Sequence, residues 1–279
     1  MAANPMSALI DLVNTEAGRL ADYLAGMKAE SWSQDSACQG WKIGDVVAHL
    51  SIAASTWAAS LTRAVAGDSE PPQGQSFLGA GVRGSDIIAD AATAHFQEKG
   101  QQLLTEFNEG YERLKQVMST LRPEDWEKPC FHRRGKMPVR QFVAVRVQEL
   151  AVHSWDIRAG LDSSAVISEE ALPQMATLVP RWLGTAFRSS PDLAAPVRFR
   201  FDVTGAQRVN QDLVVNGQEF EIQDTVSGQA DVTFRCDTST YILLIFGRIG
   251  VDEGVSSGRL TIDGSMERAA EFTTWFQGF

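Results

Sequence analysis

Apolar residues recur at helical spacing through the first two-thirds of the chain. In residues 6–29 they line one face of a helix, at Met6, Leu9, Ile10, Val13, Leu20, Tyr23, Leu24 and Met27. Three further helices are predicted at about Trp41–Val65, Ser85–Leu121 and Pro138–Ala159. Four helices of this length predict a bundle. The stretch Gly67–Gly84, rich in glycine and proline, predicts a long loop between the second and third helices.

The pattern changes its period in the last third of the chain. Val197–Val203 alternates strictly between apolar and polar residues, as a half-buried strand does. Further strands are predicted at Arg208–Val215, Glu219–Gln223, Asp231–Cys236 and Arg259–Asp263. Helices are predicted at Ser168–Phe187, Asp237–Arg248 and Ser265–Phe276. The predicted fold class is α plus α+β: a helical bundle in residues 1–166, then a linker helix and a small α+β domain in residues 167–279.

Composition and charge argue against several classes of partner. The net charge is -10 and the pI about 4.9, whereas nucleic-acid binding needs clustered Lys and Arg. A nucleic acid is therefore not expected as a partner. No run approaches the ~18 apolar residues of a transmembrane helix, so a membrane is not expected either. Charged residues throughout residues 1–30 argue against a signal peptide. Cys38, Cys130 and Cys236 are odd in number and far apart, which predicts a reducing, cytoplasmic location.

Two residues of the fourth predicted helix are spaced to share a metal ion. Glu149 and His153 are four positions apart, so their side chains leave the same face one turn apart. His49 lies among apolar residues of the second predicted helix, where a buried imidazole needs a partner. Two histidines and a carboxylate with one open position are typical of catalytic zinc. The alternatives are a surface ion pair between Glu149 and His153 and a core histidine at position 49.

Two other polar residues share the helix with these candidates. Asp156, three positions after His153, is a candidate to accept a hydrogen bond from that imidazole, the usual support of a metal-binding histidine. Arg146, one turn before Glu149, is placed to orient the carboxylate. For both residues the alternative is an ion pair on the helix surface, which contributes little to stability.

Two motifs resemble those of a known family. The first consists of Trp32, Ser36-Ala37-Cys38 and the run Gly40-Trp41-Lys42-Ile43-Gly44-Asp45-Val46-Val47-Ala48-His49-Leu50. The second is Arg-x-x-Glu-x-x-x-His-x-x-Asp, matched by Arg146, Glu149, His153 and Asp156. Together they resemble the DinB-like superfamily over about residues 6–165, and more narrowly the mycothiol-dependent maleylpyruvate isomerase family. The resemblance implies a DinB-like four-helix bundle with metal ligands at His49, Glu149 and His153.

The C-terminal third resembles the sterol-carrier-protein type domain that many members of this family append. The resemblance rests on glycines and strand pattern in Ala230–Phe234, Phe246–Arg248 and Ser257–Ser265. It implies that an arginine of this domain reaches toward the active site. Arg259 and Arg248 are the candidates by position, with a solvent-exposed arginine as the alternative for either. Arg259 and Asp156 are taken as the candidate catalytic residues.

For the chemistry, the resemblance implies an enzyme that depends on a thiol. Zinc, or another divalent metal, would deprotonate mycothiol or a similar low-molecular-weight thiol. The metal thiolate would then serve cis-trans isomerisation of a small organic substrate, or S-transfer to it. A metal-dependent hydrolase using zinc-bound water and a non-enzymatic small-ligand binding protein are the competing hypotheses. The expected partners are the thiol and the substrate, with the protein a monomer or a homodimer.

Overall fold

The computed structural model describes residues 5–78, 84–189, 193–225, 228 and 230–278. By its internal contacts the chain divides into two units, Met1–Ala165 and Val166–Phe279. Each unit is described on its own. In the described ranges, no helix combines the length and the apolar character needed to cross a bilayer.

The first unit is helical over most of its described residues. Its helices are α1 (Pro5–Ala25), α2 (Ile43–Val65), α3 (Gly84–Lys99), α4 (Leu103–Ser119) and α5 (Val139–Ala159). Two short strands, β1 (Pro129–Cys130) and β2 (Met137–Pro138), form a small hairpin before α5. α2 packs against α3, α4 and α5, and α1 packs against α4 and α5. The predicted bundle is therefore confirmed, whereas the hairpin was not predicted.

The third predicted helix, Ser85–Leu121, is wrong as a single element. It consists of α3 and α4, separated by a 3-10 turn at Gly100–Gln102. Gly100 adopts a φ of 53°, which glycine reaches easily and other residues reach only at a cost. Within the predicted loop before it, residues 67–78 are irregular, and residues 79–83 lie outside the described part of the chain.

Two local contacts fix the start of α2. A carboxylate oxygen of Asp45 accepts a hydrogen bond from the backbone N–H of Lys42 at 2.8 Å, as in a capping box. Gly44 lies against the ring of Phe96 in α3, so close that an added β-carbon would come within 2.3 Å of the ring. Because glycine has no β-carbon, α3 packs directly on the first turn of α2.

The second unit combines a sheet with short helices. In chain order its elements are α6 (Leu172–Ala186), β3 (Val197–Thr204), β4 (Val209–Asn216), β5 (Glu219–Asp224), β6 (Val232–Asp237), α7 (Thr238–Ile245), α8 (Val251–Ser256), β7 (Thr261–Gly264) and α9 (Met266–Trp275). The described strands have the order β5-β4-β3-β6-β7, with β3 and β6 parallel and the other pairs antiparallel. The predicted α+β arrangement is confirmed. The short helix α8 was not predicted.

The two faces of this sheet have opposite character, as the alternation in the sequence requires. On the apolar face, ring centroids lie 5.1 to 5.9 Å apart in a cluster formed by Phe199, Phe201, Phe234 and Phe272. On the polar face, the fully buried carboxylate of Asp212 binds Arg198 at 2.9 Å and Arg200 at 2.8 Å. The core of the unit is therefore aromatic and lies between the sheet and α9.

Candidate metal centre

α2 and α5 run antiparallel and bring their polar residues together inside the bundle. His49 of α2 lies opposite Glu149 of α5, and Trp57 further along α2 stacks on Phe142, with ring centroids 3.8 Å apart. Glu149 and His153 lie one turn apart on the same face of α5, as their spacing predicted. Two helices thus direct three side chains that can bind a metal into one place.

The three side chains form a tight cluster. His49 Nε2 lies 3.2 Å from Glu149 Oε2, and His153 Nε2 lies 3.9 Å from the same oxygen. One potential ligand atom of each residue lies within 4.8 Å of those of the other two. The side chains are only 12 to 24% exposed. Two imidazole nitrogens and one carboxylate oxygen at these distances match the donor set of a zinc site with an open position, so the residues fit a divalent metal.

The protonation states of the cluster also suit a metal. Burial lowers the pKa of His49, and the neutral imidazole is the form that binds a metal. Burial alone would raise the pKa of the Glu149 carboxyl, but the hydrogen bond with His49 and the charges of Arg146 and His153 hold it well below its ordinary value. Near neutral pH, Glu149 is therefore ionised while His49 is neutral.

Asp156 orients the ring of His153. Its carboxylate lies 2.8 Å from His153 Nδ1, and its side chain is fully buried. When Nδ1 carries the proton, its N–H donates a hydrogen bond to this carboxylate, and the unprotonated Nε2 is directed toward Glu149. The backbone carbonyl of Asp156 also accepts a hydrogen bond from Ala37 N–H at 2.9 Å, and so connects α5 to the segment before α2. The predicted contact with His153 is present, and a catalytic role for Asp156 stays a prediction.

Arg146 is buried behind Glu149, with 1% of its surface exposed. Its Nη2 lies 3.5 Å from Glu149 Oε2, and its guanidinium lies 4.7 Å from the ring centroid of Trp57 and 6.0 Å from that of Tyr111. Burial raises the pKa of Tyr111 to about 12, so this phenol is neutral. An ion pair on the helix surface, the alternative for Arg146, is therefore wrong. Sequence reasoning assigned no role to Tyr111, because its place on α4 carries no chemical signal.

Trp41 forms a wall beside the two histidines. Its ring centroid lies 5.5 Å from that of His49 and 6.4 Å from that of His153, and it is nearly parallel to the second ring, at 6°. The segment that carries it is held by a hydrogen bond from Ser36 N–H to the Trp41 carbonyl at 2.9 Å. Trp41 belonged to the motif found in the sequence, but its contact with both imidazoles is evident only in the folded chain.

Two sequence profiles match the chain. Residues 13–158, more than half of the chain, match the mycothiol maleylpyruvate isomerase N-terminal domain. The chain belongs to this family. Residues 189–277 match the SCP-2 sterol transfer family. Both resemblances inferred from the motifs are therefore confirmed, and the family match includes all three candidate ligands. No curated protein matched the chain.

Solved structures of an isomerase share the fold of this chain. The crystal structure of the mycothiol-dependent maleylpyruvate isomerase aligns with 93% of this chain and 93% of its own, at a TM-score of 0.63 and 16% identity. A histidine-to-alanine mutant of that isomerase aligns over the same shares, at a TM-score of 0.62 and 14% identity. At this level of identity the likeness shows a common fold across both parts of the chain.

The remaining candidates from the sequence lie outside the ligand cluster or in the second unit. Arg259 is half-buried in the segment between α8 and β7, and its catalytic role stays a prediction. Arg248 follows α7 and is also half-buried. His95 lies 2.6 Å from Glu106 between α3 and α4. His132 is half-buried in the hairpin before α5, with its ring 6.1 Å from a ring of α2.

Proposed function

We propose that this protein is a metal-dependent enzyme that uses a low-molecular-weight thiol, mycothiol or a close analogue, for cis-trans isomerisation of a small organic substrate or for S-transfer to it. The observation that carries the proposal is the cluster of His49, Glu149 and His153 inside the bundle. The family match supports the thiol, because this family is named for a mycothiol-dependent maleylpyruvate isomerase.

The side chains around the centre have distinct roles in this proposal. His49, Glu149 and His153 would hold one divalent ion, for which we propose zinc. When bound, such an ion supplies a Lewis acid with an open position, able to lower the pKa of a thiol. Asp156 keeps the proton of His153 on Nδ1, so that Nε2 remains a donor to the metal. Trp41 covers one side of both imidazoles and limits the access of water.

The contacts of the centre favour an external thiol over water as the nucleophile. Hydrolysis needs a general base beside the attacking water. Glu149 and both histidines are committed as ligands, and Asp156 is hydrogen-bonded to His153. A thiol is itself the nucleophile once it is deprotonated. It adds reversibly to a conjugated cis double bond and is released unchanged after rotation about the resulting single bond. A thiol-dependent reaction therefore asks less acid-base chemistry of these residues than hydrolysis does.

Titration of the cobalt-loaded protein with thiols tests the proposal. Mycothiol, glutathione and bacillithiol are added separately, and the sulfur-to-cobalt charge-transfer band is recorded. We expect the band with mycothiol in the wild-type protein, and neither cobalt nor a band in His49→Ala. The control variant His95→Ala, which removes a histidine outside the cluster, should give the wild-type spectrum. If no thiol produces the band and the zinc protein hydrolyses esters without thiol, the hydrolase hypothesis replaces this one.

Turnover assays separate the two thiol-dependent reactions. Maleylpyruvate is the first substrate to test, because the related isomerase is named for it. Isomerisation would give the trans product with the thiol unchanged, whereas S-transfer would consume one thiol for each product formed. Arg259 is proposed as a second catalytic residue that acts on the substrate. Arg259→Ala should lower kcat with the metal content unchanged. Arg268→Ala is the matched control, because this arginine belongs to the same unit and is paired with Glu271 on α9.

A further inference from the structure

A fully buried positive charge lies directly behind the proposed ligands. Arg146 is among the largest side chains that the fold buries completely. Removing a guanidinium from water costs several kcal/mol unless an anion and hydrogen-bond acceptors compensate it. The contacts of Arg146 therefore show whether its charge and its N–H donors are compensated within the protein.

Aromatic faces, and not hydrogen bonds, hold this guanidinium in place. It lies 4.7 Å from the centroid of Trp57 and 6.0 Å from that of Tyr111, distances at which a ring attracts a cation. Nε, Nη1 and Nη2 of Arg146 all lack a hydrogen-bond acceptor among the described residues. The buried hydroxyl of Tyr111 likewise has no hydrogen-bond partner there. The guanidinium N–H groups of Arg146 and the hydroxyl of Tyr111 are thus buried without hydrogen-bond partners among the described residues.

The nearest negative charge to Arg146 is shared with the proposed metal ligands. Glu149 Oε2 lies 3.5 Å from Arg146 Nη2, and the same oxygen lies 3.2 Å from His49 Nε2. A carboxylate that binds a metal has less negative charge left for the guanidinium. Among the proposed ligands and the groups that contact them, Glu149 and Asp156 contribute two negative charges and Arg146 one positive charge. With neutral imidazoles, a bound divalent ion therefore leaves the centre with an excess of positive charge.

We propose that Arg146 is a specificity-determining residue, and that its buried charge selects an anion as the external ligand of the metal. This inference rests on the proposed metal centre and deepens it. The ligands favoured would be monoanions such as a thiolate, and neutral molecules of similar size would be disfavoured. Arg146 acts through its charge and its unused N–H donors, so a neutral side chain of similar volume should fill the space without providing the selectivity.

Azide binding to the cobalt-loaded protein tests this role without any thiol. Azide is added to the wild-type protein, Arg146→Lys, Arg146→Met and Arg140→Met, and the visible cobalt spectrum gives each affinity. Arg140 is the matched control, because it belongs to the same helix but is half-exposed and paired with Glu127. We expect Arg146→Met to bind azide about tenfold or more weakly, since it removes a charge from a site of low dielectric constant. Arg146→Lys and Arg140→Met should stay close to the wild-type protein.

The outcomes separate this role from a structural one. Cobalt stoichiometry and urea unfolding are measured for each variant. Unchanged azide affinity in an Arg146→Met protein that loads cobalt normally would overturn the proposal. If that variant does not load cobalt, Arg146→Gln takes its place; failure of both neutral variants would assign Arg146 to holding Glu149 and also overturn it. The thiol titration decides whether the reaction depends on a thiol, and azide binding decides the role of Arg146, so the failure of one proposal is distinguishable from the failure of the other.

Discussion

Glu149 Oε2 is the atom on which the contacts of the centre converge. His49, Arg146 and His153 approach it at 3.2, 3.5 and 3.9 Å. Spacing along α5 was enough to predict that Glu149 and His153 share a face, since it follows from helix geometry alone. The burial of Arg146 could not be predicted in this way, because it depends on rings that α2 and α4 contribute from distant parts of the sequence.

Acidification should destabilise the metal-free protein in two steps. Burial lowers the pKa of His49 from 6.5, so below about pH 6.5 the unfolded chain binds a proton that the folded chain does not, and stability falls. The pKa of Glu149 is held below 4.5, so its stabilising contribution is complete above about pH 4.5 and is lost at lower pH. Urea unfolding at a series of pH values measures both steps. In His49→Ala the loss of stability below about pH 6.5 should be smaller. If its free energy of unfolding fell with pH as steeply there as that of the wild-type protein, the step would not belong to His49.

Asp156→Asn should weaken metal binding while leaving the fold intact. The amide has nearly the shape of the carboxylate, but it accepts the His153 N–H less strongly and can present its own N–H instead. We expect the affinity for zinc to fall about 10–100-fold, as is usual when such a partner of a metal-bound histidine is replaced. Calorimetric titration with zinc measures the change. Asp162→Asn, at an exposed carboxylate after α5, is the control and should bind zinc as the wild-type protein does. Equal affinities in the wild-type protein and both variants would show that Asp156 does not support metal binding.

Among the elements, the long periodic segments were predictable and the short ones were not. α1 and α2 present apolar stripes over several turns, and α5 begins after Pro138 and ends before Gly160, so each is identified as a helix without tertiary information. The β1–β2 hairpin and α8 are only a few residues long, so they present no period to detect. The break between α3 and α4 depends on the backbone conformation of one glycine, Gly100, in a region whose composition otherwise favours a continuous helix.

Gly44→Ala should disturb the packing of α3 on α2. The new methyl group would overlap the ring of Phe96, so the two helices would have to move apart. We expect a loss of about 1–3 kcal/mol, the usual cost of overpacking a core. Chemical denaturation measures it. Gly18→Ala in α1 is the matched control, because its added methyl group meets nothing within 4 Å, and we expect a gain of about 0.5–1 kcal/mol there. Equal effects at the two positions would contradict the close contact.

At the scale of the whole molecule, all three proposed ligands belong to one unit. His49, Glu149 and His153 lie within Met1–Ala165, and the second unit has its own aromatic core between sheet and helix. The change from helical to alternating period revealed two kinds of architecture in the sequence. It carried no information on the proposed role of Arg259, because periodicity describes each segment separately.

A truncated protein that ends at Ala165 should fold and bind one divalent ion per chain. It keeps α1 to α5 and every proposed ligand, and a bundle of this size has its own core. Metal analysis and circular dichroism measure the result. The complementary fragment, residues 166–279, should bind no metal at matched concentration. Loss of helical signal or of metal in the first fragment would show that the centre depends on the second unit.

The position of Trp41 has a practical consequence. Its indole lies 5.5 and 6.4 Å from the two proposed imidazole ligands. Cobalt and copper ions quench the emission of an indole at such short range, by energy or electron transfer. The protein therefore carries an intrinsic fluorophore at its centre, and occupancy can be followed in real time without a label. The difference in emission between the wild-type protein and Trp41→Phe isolates this signal from that of the other tryptophans.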